Sequence, residues 1–243
     1  MTAGSGPATV VLVHGAFHGA WCWDRVVPLL EAAGVPVVAV DLPGHGPDGG
    51  PPGDLHAHAD WLRGFLASLP GPVVLVGHSY GGAVITDAAA GVPAVRRLVY
   101  LCAIVPDAGE TMTTVMPDRA AGGDRASLVS EAMRVDGDGN LVVDPEGAVA
   151  ALYGDCGPDD VEFALARLCP QSAASFGQPV RAAAWRTIPS TYVICHEDRA
   201  VSLGFQRVLA TRTTDTVELA TSHSPFFSQP QRVADLFADL ARG

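Results

Sequence analysis

"VLVGHSYGGAVI", residues 74–85, reads as a valine-rich strand cut off by Gly77-His78-Ser79-Tyr80-Gly81 and followed at once by a helix. A serine in so sharp a strand-to-helix turn takes a strained backbone. Glycines on its two flanks let strand and helix come close. The turn leaves the Ser79 hydroxyl exposed at the end of the strand. It also aims the next backbone N–H, that of Tyr80, at the same point, where the start of a helix favours negative charge. The pattern is a nucleophile elbow, with Ser79 the candidate nucleophile and the Tyr80 amide a candidate oxyanion donor.

Working outward, the runs ATVVLV (8–13), VPVVAV (35–40), RRLVYLC (96–102), STYVIC (190–195) and DTVEL (215–219) read as further strands. They are rich in valine and largely apolar on both faces, as buried parallel strands are. Helical stretches lie between them. WDRVVPLLEAAG stops at Gly34, and the terminal QPQRVADLFADLAR puts Val233, Leu236, Phe237 and Leu240 on one stripe. Alternating strands and helices predict an α/β sheet covered on both faces.

The rhythm breaks between about Asp107 and Arg186. MRVDGDGNLVVD predicts a hairpin, Asp144 an N-cap with Pro145 behind it, and GPDDVEFALARLC a helix. A block inserted here, before the fifth strand, is expected to form a small cap over the carboxyl ends of the strands. Met112, Met116, Leu152, Tyr153 and Phe163 are its candidates for pocket lining, although core packing is the preferred reading for most of them.

A serine hydroxyl needs a base, and the base needs an orienting carboxylate. STYVICHEDRAVS offers Asp198 just past a strand, preferred by its place in the loop over its neighbour Glu197. VELATSHSPFFSQP offers His223 between the last strand and the last helix. The glycine-rich HGAFHGAWCW (14–23) follows the first strand, and its Ala16 amide is the second candidate oxyanion donor. Of the other histidines, His14 and His18 are expected to order that loop, and His78 fills the elbow. His45, His56 and His58 fall in a polar loop and the start of a helix, and His196 is a weaker rival for acid–base work.

Composition closes off other chemistries. The 243 residues are 48% hydrophobic and 17% charged, a globular balance. A net charge of −11 argues against nucleic acid or an anionic membrane as partner. All 15 basic residues are arginine, so there is no Schiff-base lysine and no phosphate-binding lysine of a P-loop. The five cysteines lack CxxC spacing and read as reduced thiols, and no secretory signal precedes the first strand. A cytoplasmic protein is expected. DGDGN (136–140) begins like a calcium loop, but Leu141 and Gly147 stand where the loop needs glycine and glutamate. HAH (56–58) has no further ligands at useful spacing. No metal and no cofactor are expected.

VLVHGAFHGAWCWDRVVPLLEAAG, VVAVDLPGHG, LVGHSYGG, DCGPDD, CHEDRAVSLGFQR and SHSPFFSQP resemble the α/β-hydrolase superfamily. Within it they are similar to the branch of plant methyl ester esterases, hydroxynitrile lyases and their bacterial relatives. The resemblance runs nearly the whole chain and implies the same residues: Ser79, His223, Asp198, and the Ala16 and Tyr80 amides. It implies one domain over 1–243 with a cap at about 107–186, and six mainly parallel strands in the order 2-1-3-4-5-6. The lyases of this branch carry a threonine where this chain has Gly15, and a lysine where it has Ser224. Cyanide elimination relies on that charge, so cyanohydrin cleavage is not expected.

These readings predict a serine hydrolase acting on esters or lactones of a small-molecule substrate. Two alternatives stand beside it. In one, His223 acts as general base for elimination, cyclisation or isomerisation; in the other, the fold serves as a silent ligand-binding receptor. The sequence carries no signal of oligomeric state.

Overall fold

The structure, a computed structural model, describes residues 6–47, 49–115 and 127–243. Six strands form the central sheet: β1 (Thr9–Val13), β2 (Val37–Val40), β3 (Val73–His78), β4 (Val95–Leu101), β5 (Ser190–Cys195) and β6 (Asp215–Leu219). Their order is β2-β1-β3-β4-β5-β6, and every neighbouring pair is parallel. This is the α/β-hydrolase arrangement expected from the sequence.

The valine runs are explained by burial on two sides. Alternate strand residues point to opposite faces. Val11, Val13 and Leu75 join one core with α2 (Leu55–Ser68), α3 (Gly81–Ala88) and α4 (Leu203–Ala210). Val10, Leu12, Val74 and Val76 join the other with α1 (Val27–Ala32) and α5 (Pro230–Arg242). Each fully buried valine or leucine contributes about 1.5–3 kcal/mol. Polar caps fix where helices start: Asp54 accepts the Ala57 N–H at 2.9 Å at the head of α2. At the opposite edge from the strands' carboxyl ends, the Ala8 N–H donates to the Ala241 carbonyl at 2.8 Å, tying the start of β1 to the end of α5. Among the described residues no helix is long and apolar enough to cross a membrane.

Between β4 and β5 the chain builds a smaller unit. Met133–Val135, Asn140–Val143 and Gln171–Ser172 pair as an antiparallel sheet, flanked by the helices Pro145–Leu152 and Pro158–Leu165. The 136–140 stretch is a tight turn: the Asp136 carboxylate accepts the N–H groups of Asp138 and Asn140, each at 2.9 Å. Asp144 caps the next helix, accepting the Gly147 N–H at 2.9 Å. Met112, Leu152 and Tyr153 are buried, and Phe163 packs edge-on to Trp21 and Phe227. Met116 lies outside the described residues.

In a parallel sheet the crevice opens at the carboxyl ends, where the strand order reverses. Here that point is the β1/β3 boundary. It joins the loop after β1, which carries Ala16, to the turn after β3, which carries Ser79.

Candidate active site

Ser79 has φ 52°, the left-handed backbone of a strained elbow. Neighbouring elements hold it there. Its N–H donates to Leu101 O at 3.2 Å, and its carbonyl accepts the N–H groups of Gly82 (3.0 Å) and Ile104 (3.1 Å). The flanking glycines are required by space. A Cβ at Gly77 would lie 2.6 Å from the Gly81 carbonyl oxygen, and one at Gly81 2.6 Å from that of His14. Tyr80 caps α3, and its buried hydroxyl bonds His58 Nδ1 at 2.9 Å.

The structure brings Asp198 and His223 together. Asp198 Oδ2 lies 2.7 Å from His223 Nδ1, both side chains buried. Asp198 Oδ1 accepts the N–H groups of Ala200 (2.7 Å) and Val201 (2.9 Å), and Gln206 Nε2 donates to Oδ2 at 3.2 Å. A carboxylate so held keeps Nδ1–H on the imidazole and leaves Nε2 as the acceptor. Glu197 is exposed and makes no such bond among the described residues. His196 is exposed as well, and its ring pairs with Glu218 at 2.6 Å. The His223 carbonyl accepts from His78 Nε2–H at 2.9 Å and from the Cys102 thiol at 3.5 Å. The His78 and His223 rings stand 4.6 Å apart, which docks the histidine loop against the elbow.

The loop after β1 reaches the same place. A Cβ at Gly15 would sit 3.0 Å from Ser79 Cβ and 2.8 Å from His78 Nδ1. His14 Nδ1–H donates to Gly15 O at 2.8 Å, while its Nε2 accepts the Leu42 N–H at 3.1 Å. In a trans peptide the N–H points opposite to the preceding carbonyl. The bond on Gly15 O therefore fixes the direction of the Ala16 N–H. Phe17, next along, has φ 67°, and its carbonyl is held by the Cys169 N–H at 3.0 Å.

Sequence reasoning missed the burial of the histidines. His45 and His58, read as polar-loop and helix-start residues, are buried with His14, His18 and His78. Burial pulls the His18 and His58 pKa values down to about 4. Burial, reinforced by neighbouring histidines, also pushes His14 and His78 well below the ordinary range. Each of these rings is therefore neutral at pH 7. His58, for example, donates Nε2–H to Pro43 O at 3.1 Å and accepts from the Tyr80 hydroxyl. The missed signal is the number of histidines near these strand ends: six of the eight fall in the loop after β1, the loop after β2, the elbow or the first turn of α2.

Among the described residues, His78, Cys102 and His223 form a group whose potential metal-ligand atoms lie within 4.8 Å of one another. The donor set does not suit a metal. Burial holds the Cys102 thiol well above its ordinary pKa, against the thiolate that a metal needs, and two of the three groups already bond the His223 carbonyl.

The chain is similar to proteins of known name. It is 30% identical to Methylesterase 1 of Arabidopsis thaliana over 249 residues, covering 95% of each chain. It is 33% identical to the pyrethroid hydrolase of Sphingobium wenxiniae over 247 residues, covering 96% of this chain and 87% of that one. The crystal structure of a pyrethroid hydrolase from Sphingobium faniae superposes with a TM-score of 0.82 at 31% identity, over 96% of this chain and 97% of the other. The model of the alpha/beta hydrolase family matches residues 10–236, and with the elbow, the sheet order and these relatives in agreement, the chain belongs to that family.

Proposed function

We infer that the protein is a serine hydrolase that cleaves carboxylic esters or lactones of a small substrate through an acyl-enzyme on Ser79. The observation that carries this reading is the Asp198–His223 pair at 2.7 Å, docked through His78 against a strained serine elbow. His223 Nε2 takes the proton of the Ser79 hydroxyl as its oxygen attacks the substrate carbonyl. The Ala16 and Tyr80 amides receive the charge that forms on the carbonyl oxygen, helped by the start of α3. Asp198 stabilises the imidazolium. The alcohol leaves with the proton from His223, and water then repeats the sequence on the acyl-enzyme, releasing the acid and restoring Ser79.

Relatives named as esterases and hydrolases support ester hydrolysis. Gly15 supports it over cyanide elimination, because a side chain there would crowd His78 and Ser79. So does Ser224 after the histidine in a chain without lysine.

The test is covalent labelling with a serine-directed fluorophosphonate, followed by peptide mass analysis. One label per chain on Ser79 is expected; a label on Ser222 or Ser224 would defeat the assignment. Turnover in ¹⁸O-water separates hydrolysis from elimination, cyclisation or isomerisation. Hydrolysis puts solvent oxygen into the acid product, and product free of ¹⁸O would favour the other chemistries.

A further inference from the structure

One short turn of the inserted segment reaches both candidate catalytic loops. Tyr153, which ends the helix Pro145–Leu152, is buried, and its hydroxyl donates to His18 Nε2 at 2.7 Å. His18 in turn donates Nδ1–H to the Ala16 carbonyl at 2.8 Å. Two residues beyond Tyr153, the Asp155 carboxylate accepts the N–H of Ser222 at 3.0 Å and also the Ser222 hydroxyl. Ser222 is the residue before His223. The Cys156 thiol lies 3.9 Å from the carbonyl of Ser224, the residue after it. The turn is closed by the Cys156 N–H on the Tyr153 carbonyl at 3.0 Å.

The chemistry of each contact is specific. A phenylalanine at 153 would fill the same space beside Phe227, 6.2 Å away. Only a hydroxyl gives the neutral His18 ring a donor for Nε2, and that bond favours the tautomer whose Nδ1–H holds Ala16 O. Ala16 is then held on both sides, by His14 on the Gly15 carbonyl of its own peptide unit and by His18 on the Ala16 carbonyl of the following one. On the other flank, one exposed carboxylate takes both hydrogen-bond donors of the residue that precedes the base.

We propose that Tyr153 and Asp155 are positioning residues of the catalytic centre. Tyr153 aims the Ala16 amide through His18, and Asp155 places His223 through Ser222. The proposal rests on the reading of Ser79, His223 and the Ala16 amide as nucleophile, base and oxyanion donor. The insertion thereby sets the register between the two halves of the reaction centre.

The experiment uses the full chain with p-nitrophenyl acetate and the fluorophosphonate. Tyr153→Phe should lower kcat about ten- to hundredfold, with KM within twofold, since a misaimed oxyanion donor is felt in the transition state. Labelling of Ser79 should still reach one per chain, but more slowly. On a His18→Asn background Tyr153→Phe should add no further loss, because its effect passes through His18. Asp155→Ala should lower kcat by a similar factor, and Asp155→Asn, which keeps an acceptor for the Ser222 N–H, should restore most of it. Three results would overturn the proposal: kcat within twofold of the parent in both Tyr153→Phe and Asp155→Ala; a Tyr153→Phe loss of equal size with or without His18; or incomplete labelling at saturation, which would put the loss in folding. Turnover surviving in Ser79→Ala would instead bring down the catalytic reading, and the proposal with it.

Discussion

Lowering the pH from 7 to 5 should cost the fold about 4 kcal/mol through His18 and His58 alone. Both are buried and neutral, with pKa values pulled from the ordinary 6.5 down to about 4, first of all by desolvation. The unfolded chain takes up protons below pH 6.5, while the folded rings refuse them until about pH 4. The unfolded state therefore binds more protons throughout that window, and stability falls as the pH falls through it. At pH 5 an ordinary histidine is almost fully protonated and a buried one is not, a difference of about 2 kcal/mol per ring. His14 and His78 are pushed further the same way and add to the loss. A domain holds about 5–15 kcal/mol in total, so the effect is large. Urea unfolding followed by tryptophan fluorescence at constant ionic strength measures it. The midpoint should drop by more than about 1 M urea between pH 7 and 5. His58→Gln, which removes one of the two buried rings, should remove about half of the two-ring pH dependence. Midpoints that agree within about 0.3 M at the two pH values would refute the reasoning.

Asp198→Asn should lose activity by a factor of order 10⁴ through the wrong histidine tautomer, while Glu197→Gln should stay within a few-fold; kcat/KM of the two folded variants decides. Gly15→Ala should cut kcat/KM at least about tenfold, since its Cβ would crowd Ser79 and His78; normal turnover would mean the loop yields freely. Full activity should survive dialysis against a strong chelator, and activity restored only by added metal would count against the mechanism.

Most of the central sheet was legible because its inner strands are valine-rich on both faces, and each face has its own core to enter. Ser79, Asp198 and His223 were legible for a related reason: each follows a strand in a parallel sheet, so chain order alone sends them to one edge. The histidines were not. What buries His58 is Pro43 O and the Tyr80 hydroxyl, partners that come from other parts of the chain. The inserted segment hid most. Its strands are two to four residues long, too short to show a period. Tyr153 was singled out there as pocket or core, yet its hydroxyl partner lies 135 positions away. Asp155 gave no signal beyond its place in DCGPDD.

A sheet whose strands all run one way has two unlike rims. Ser79, Asp198 and His223 lie along one rim. Ala8 and Ala241 meet at the other, 2.8 Å apart through one amide and one carbonyl. A tether attached there would hold the molecule with its open crevice facing outward. Immobilisation on a surface through a residue introduced beside Ala8 or Ala241 should therefore leave substrate access unimpeded, whereas coupling through side chains of the inserted segment should obstruct it.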